Sequence, residues 1–169
     1  MEDRYRSEPL NRHHDRASFS CGVEVLDRYF QHQAGQDQRR GLAALYVLID
    51  ATTGALVGYH TLSTFSVFPK SLPAELTARL PRYETLPAIL VGRLAVDRRY
   101  RGQGLGQLLL LDALARCLAI SHDIGALVVV VEAKDDAARA FYEHHGFLPF
   151  ADHEHRLYMP IATIAKLGL

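Results

Sequence analysis

The sequence predicts a mixed α/β fold, a sheet of antiparallel and parallel strands with helices on its faces, in the order αββ(α)βαβαβ. Three observations predict it. Extended apolar runs at residues 43–50, 55–68, 88–96 and 126–131 alternate with segments of helical periodicity. The first two runs are separated only by Ala51-Thr52-Thr53-Gly54, which is turn chemistry and makes them a hairpin. The third run passes through a glycine-rich loop into a segment that is apolar almost all round, as a helix packed on a sheet and covered by its neighbours is.

After a polar start, residues 21–33 place Val23, Leu26, Tyr29 and Phe30 at helical spacing, with Ser20 as N-cap. The hairpin follows. Prolines at 69, 73, 81 and 87 then bracket an irregular stretch with room for one short helix at 74–80. Residues 88–96 form the central strand, and 105–120 the apolar helix behind the loop. Residues 126–131 read as a buried strand. Asp135 or Asp136 caps a helix that runs to His145 and is ended by Gly146. Short extended pieces at 147–150 and 155–159 precede a small terminal helix. No repeat, low-complexity segment or linker interrupts this order, so residues 1–169 are expected to form a single domain.

Composition excludes several classes. No run of some 18 apolar residues occurs, and the charged start Met1-Glu2-Asp3-Arg4-Tyr5-Arg6 has no apolar stretch behind it, so no membrane span or secretory signal is expected and the protein is placed in the cytoplasm. Cys21 and Cys117 lie far apart without metal-ligand spacing and are expected to be thiols. Formal net charge is +0, which argues against a strongly basic nucleic-acid binder, but charge is unevenly placed. Between residues 78 and 101, Arg79, Arg82, Arg93, Arg98, Arg99 and Arg101 face only Glu84 and Asp97, whereas the last third is acidic. His153 and His155 share one strand face and His144-His145 adjoin, yet no third ligand accompanies them and no metal is expected.

Gly102, Gly104 and Gly106 come straight after a strand and open a helix, the context in which such a loop cradles phosphate. Residues without side chains let the backbone approach a pyrophosphate, and the first amides of the helix, with its dipole, favour an anion. The spacing G-x-G-x-G is not that of a dinucleotide fold, which also needs an acidic strand end about twenty residues on, and no Gly-Lys-Ser/Thr follows.

The segment Leu94-Ala95-Val96-Asp97-Arg98-Arg99-Tyr100-Arg101-Gly102-Gln103-Gly104-Leu105-Gly106 resembles the acetyl-CoA motif Q/R-x-x-G-x-G/A of the GNAT acetyltransferases, with Arg101, Gly104 and Gly106 at its fixed positions. Ala137-Ala138-Arg139-Ala140-Phe141-Tyr142-Glu143-His144-His145-Gly146-Phe147 is similar to that superfamily's A-x-x-F-Y-x-x-x-G-F segment. The resemblance implies a GNAT fold in which the sheet splays between the strands at 88–96 and 126–131 to hold CoA. It implies acetyl-CoA as cosubstrate, held by Leu94, Ala95, Val96, Arg101, Gly102, Gln103, Gly104, Leu105, Gly106, Asp135 and Phe141. Tyr142 falls at the family's general-acid position.

A closer resemblance, to the toxins of bacterial GNAT/ribbon-helix-helix toxin–antitoxin modules, rests on Phe19-Ser20-Cys21-Gly22, Leu26-Asp27-Arg28-Tyr29, Gln33-Ala34-Gly35-Gln36-Asp37, Val57-Gly58-Tyr59-His60-Thr61-Leu62-Ser63, Leu80-Pro81-Arg82-Tyr83 and Gly92-Arg93-Leu94-Ala95-Val96-Asp97. His60 and Glu84-Thr85-Leu86 depart from it. It implies acetylation of the α-amino group of charged tRNA, which blocks translation, and neutralisation by a ribbon-helix-helix antitoxin; homodimer formation is left open. The alternatives are a GNAT acting on a small amine or a protein amino group, and a non-catalytic acetyl-CoA-binding module. Arg82 and Arg93 are the candidate contacts to the tRNA backbone. No carboxylate stands out as general base, and an α-amino group with pKa near 8 hardly needs one, unlike a lysine near 10.4. Tyr142 as proton donor to the CoA thiolate and a backbone amide near Val96 as oxyanion donor complete a direct transfer, in which neither cysteine takes part.

Overall fold

A computed structural model describes residues 4–169, and the chain divides into two compact units. The first takes the chain up to Ser63 and then Gly92–Ala113; the second takes Thr64–Val91 and Leu114–Leu169. Along the chain the strands are β1 (Tyr5–Pro9), β2 (Ala44–Asp50), β3 (Leu56–Val67), β4 (Leu86–Val96), β5 (Val128–Glu132), β6 (Leu148–Phe150) and β7 (His153–Pro160). The helices are α1 (Glu24–His32), α2 (Ala34–Arg39), α3 (Ala74–Thr77), α4 (Leu105–Ile120), α5 (Asp136–His144) and α6 (Ile161–Ala165), with single 3₁₀ turns at Pro69–Ser71 and Arg98–Tyr100. The strands form one mixed sheet in the order β1-β2-β3-β4-β5-β7-β6. Residues of β3, β4 and α4 belong to both units.

In the first unit the expected hairpin is present. Gly54 at φ 73 closes its turn, donating to the Asp50 carbonyl at 2.7 Å, and Asp50 accepts from the Thr52 amide at 3.0 Å. Helix α1 packs on the hairpin through an aromatic cluster: Phe30 stacks on Tyr59 at 4.2 Å, and Phe19 meets both rings edge-on. Tyr59 and Phe30 are fully buried, and the Tyr59 hydroxyl donates to the Leu26 carbonyl at 2.8 Å, so the one polar atom of that contact is satisfied. Helix α1 starts later than expected. Its N-cap is Val23, and Ser20 does not cap it. Gly22 sits at φ 87, which a continuous helix cannot accommodate, and the Cys21 amide and Ser20 hydroxyl donate instead to the Asp27 carboxylate at 2.7 and 3.4 Å. Two elements were not expected: strand β1, and helix α2, whose only buried residue is Ala34.

In the second unit β4 and β5 run parallel, with Ala88–Val91 opposite Val128–Val131, and β7 pairs antiparallel with β5 and β6. Val128 to Val131 are all fully buried, as a strand covered on both faces requires. Leu86, Ala88, Val128, Val130, Phe150 and Tyr158 make one core cluster there with Val67 and Leu72. Helix α4 matches the expected 105–120. Leu105, Leu109, Ala113 and Cys117 are buried at four-residue spacing along it.

Candidate functional site

The glycine loop lies wholly in the first unit. Gly102 and Gly104 adopt φ 76 and 74, conformations that L side chains rarely take, and a Cβ on either would meet nothing within 4 Å. The loop is therefore open on the side those positions face. The Leu108 amide donates to the Gly104 carbonyl at 3.2 Å as the first bond of α4, which leaves the amides of Leu105, Gly106 and Gln107 ahead of the helical ladder. These amides and the helix dipole supply an anion site built from backbone. Gly106, already inside α4, needs no unusual backbone.

The turn into the loop is organised by a residue whose role the sequence reading missed. Asp97, fully buried, accepts from the Ser20 amide at 3.2 Å and the Arg99 amide at 2.9 Å, and pairs with the Arg99 guanidinium at 3.0 and 3.1 Å. Burial pushes its carboxyl up, but the Arg99 side chain and the two amides outweigh that and hold it below the usual carboxylate range. Leu94, Ala95 and Val96 lead into this turn at the end of β4, with Ala95 buried and its neighbours half-buried. Arg101 donates to the Cys21 carbonyl, and a Cβ at Gly22 would lie 2.6 Å from its guanidinium. Arg101 thus ties the loop to the chain ahead of α1. Gln103 has a separate tie, accepting from the Tyr5 hydroxyl at 3.1 Å. No periodicity signal marks either tie.

Asp135, Phe141 and Tyr142 lie in the second unit. Asp135 is the N-cap of α5, its carboxylate accepting from the Ala138 amide at 2.8 Å. On this helix Ala137 is exposed, Phe141 half-buried, and Tyr142 is the buried ring. Tyr142 meets Phe141 and Phe147 edge-on at 5.3 and 5.6 Å, and burial pushes its phenol up to about 12. A phenol so shifted stays a neutral proton donor across the physiological range. Cys117, fully buried on α4, is pushed up to about 12 by the same cause, which removes it as a nucleophile at neutral pH, and neither cysteine forms a disulfide.

The two candidate tRNA contacts differ. Arg82 is exposed on the segment between α3 and β4. Arg93 lies within β4, does not pair with Asp97, and places its guanidinium 3.4 Å from the centre of the Tyr29 ring. Among the described residues, Asp136, Glu154 and His155 bring ligand atoms within 4.8 Å of one another, with His155 3.0 Å from Asp136. Asp136 and Glu154 are exposed, so this is a solvated charge cluster.

A profile of the acetyltransferase (GNAT) family matches residues 9–147. A tRNA-acetylating toxin of Mycobacterium tuberculosis (strain ATCC 25618 / H37Rv) is 38% identical over 133 residues, which cover 79% of this chain and 78% of the relative. A structure of AtaT complexed with acetyl-methionyl-tRNAfMet superposes with a TM-score of 0.89 at 28% identity, covering 98% of this chain and 99% of the other. A tyrosine-to-phenylalanine variant of the AtaT toxin, bound to the C-terminus of the antitoxin AtaR and acetyl-CoA, gives a TM-score of 0.83 at 27% identity, with 98% and 99% covered. No helix among the described residues is long and apolar enough to cross a membrane.

Proposed function

The chain belongs to the acetyltransferase (GNAT) family and is an acetyl-CoA-dependent N-acetyltransferase; from that premise we propose that its acceptor is the α-amino group of aminoacyl-tRNA and that it acts as a translation-blocking toxin. The observation that carries the cofactor half is the loop at Gly102 and Gly104, open and left-handed at the N-terminus of α4. The acceptor half is supported by the tRNA-acetylating relative and by the AtaT–tRNA complex. In this reading all 169 residues work as one GNAT domain in the cytoplasm, where charged tRNA is found, and a ribbon-helix-helix antitoxin restrains it.

The chemistry is a direct transfer. The neutral α-amine attacks the thioester carbonyl to form the C–N bond and a tetrahedral oxyanion; its collapse breaks the C–S bond as Tyr142 gives its phenolic proton to the departing CoA thiolate, and water carries the proton lost by the amine back to the phenolate. A backbone amide near Val96 stabilises the oxyanion. The loop residues Arg101 to Gly106 fix the pyrophosphate through backbone amides, with Leu94, Ala95 and Val96 along the acetyl-pantetheine arm and Asp135 and Phe141 as further cofactor contacts. Exposed Arg82 meets the tRNA phosphate backbone. Acetylation removes the nucleophilic lone pair that peptide-bond formation needs, so an acetylated aminoacyl-tRNA no longer extends a chain.

Purified protein incubated with radiolabelled acetyl-CoA and a choice of charged tRNA, uncharged tRNA and a lysine-containing peptide is expected to label charged tRNA alone. Mild alkali should then release the label as an N-acetylamino acid. Label on the peptide with none on charged tRNA would overturn the proposed acceptor.

A further inference from the structure

Arg93 does not have the surroundings of a plain phosphate contact. Its guanidinium rests 3.4 Å from the centre of the Tyr29 ring, and that ring is itself fixed. Tyr29 is buried, its hydroxyl donates to Asp37 at 2.9 Å, and Asp37 also accepts from Gln33 at 2.9 Å. Desolvation, then the bond to Asp37, push the Tyr29 phenol up to about 12, so the ring stays neutral under the cation.

The stack forms part of a groove of about 570 Å³ lined by Glu24, Val25, Arg28, Tyr29, His32, Gln33 and Arg93, all in the first unit. That volume falls in the range of small-ligand sites. Val25 stands on its rim at 76% exposure, a large apolar side chain left open to solvent. Glu24 is engaged by Arg28 within its own helix, and Arg93 is close enough to Asp37 to help lower its carboxyl, so the planar Arg93–Tyr29 stack rather than a net charge distinguishes the groove. A phosphate is gripped along the in-plane N–H edge of a guanidinium and needs neither an aromatic ring behind it nor an apolar rim. A nucleobase is served by both: a delocalised planar cation backed by a fixed ring is a stacking surface, and an apolar side chain adds contact beside it.

We propose that this groove binds the nucleobase of the 3′-terminal nucleoside of the acceptor strand, with Arg93 on Tyr29 as its stacking platform and Val25 as its apolar edge. The inference rests on the aminoacyl-tRNA reading and assigns where that substrate's end is held. It gives the α1 face a task distinct from the phosphate contact at Arg82 and from the cofactor loop.

Arg93→Lys keeps the charge and removes the planar surface, and Val25→Glu alters the rim at an exposed position without touching the core. Both are assayed on charged tRNA across a salt series, alongside melting temperature and the acetyl-CoA-induced thermal shift. For Arg93→Lys the expected result is a KM for charged tRNA raised roughly tenfold, the scale of one lost base stack, with kcat, the acetyl-CoA shift and the slope of log KM against log salt retained. Val25→Glu should raise the same KM. Wild-type KM in both variants overturns the platform. A Lys variant that matches wild type while Arg93→Ala flattens the salt slope makes Arg93 a phosphate contact and overturns it too. A lost acetyl-CoA shift would give the groove to the cofactor and overturn the platform. A wild-type protein that labels no charged tRNA sinks the acceptor reading together with the platform, whereas normal tRNA labelling with unresponsive variants sinks the platform alone.

Discussion

Tyr142 carries the sharpest single-residue expectation. Tyr142→Phe should hold acetyl-CoA affinity within a few-fold and cut turnover roughly a hundredfold, the scale of a lost general acid. Near-wild-type turnover on charged tRNA would take Tyr142 out of the mechanism. The pH profile follows from its environment. Burial raises the phenol to about 12, so the acid form persists as pH rises, and kcat/KM should climb as the substrate amine deprotonates near pH 8 and then stay level to about pH 10. A descending limb centred near pH 9 would point to a different acid. The identity of this residue was legible from A-x-x-F-Y, but its packing was not. Helical spacing alone puts Tyr142 about 100° from Phe141 and leaves open which of the two is inside. Exposed Ala137 and buried Tyr142 resolve that in favour of the tyrosine, because the turn at His145-Gly146 folds the chain back so that the Phe147 amide donates to the Tyr142 carbonyl at 3.1 Å and its buried ring meets the tyrosine. Arg93 was legible only as a basic residue near the loop; its Tyr29 partner is remote in sequence, and no local pattern announces such a pair.

Elements with a strong apolar period were read correctly from sequence, and those held by polar contacts were not. Helix α4 and the β2–β3 hairpin declare themselves through burial patterns and turn residues. Strand β1 does not, because Tyr5-Arg6-Ser7-Glu8-Pro9 buries only Tyr5 and is fixed by pairing to β2 and by the Ser7 hydroxyl donating to Asp112 at 2.7 Å. Helix α2 buries only Ala34, and the start of α1 is set by Gly22 and Asp27 where Ser20 looked the better cap. The loop before α4 permits a two-part test. Gly104→Ala should cost about 1 kcal/mol through its positive φ, since a methyl there meets no protein neighbour, and should reduce the acetyl-CoA-induced thermal shift only in part, because a methyl intrudes on the pyrophosphate's approach but adds no charge. Gly104→Glu carries the same backbone strain and adds a negative side chain where the pyrophosphate is expected, so the shift should vanish. Equal shifts in the two variants would mean that the phosphates bind elsewhere.

At the scale of the whole molecule, zero net charge conceals a few buried carboxylates on which acid stability depends. Asp50 is fully buried at the end of β2, pairs with the half-exposed Arg4 at 3.0 Å and accepts from the Thr52 hydroxyl at 2.6 Å. The bonds from Arg4 and Thr52 lower its carboxyl to about 2, below the 3.9 expected of an unfolded chain. Asp97 is lowered in the same direction. Because the folded state holds its protons less tightly, the stabilisation is complete above about pH 4 and is lost as pH falls through about 2. Asp50→Asn keeps the shape and removes this titration. Its melting temperature should therefore lie below wild type at pH 7, and the gap should close as pH is lowered from 4 to 2, with the wild-type curve falling the more steeply. Arg4 is about half exposed, so high salt should weaken the pair and narrow the gap at pH 7 as well. Melting curves for both proteins at half-unit pH steps decide the matter. A gap that stays constant down to pH 2 would mean that the Asp50 hydrogen bonds do not depend on its charge, and that the acid sensitivity of the fold resides with Asp97 and the turn into the glycine loop.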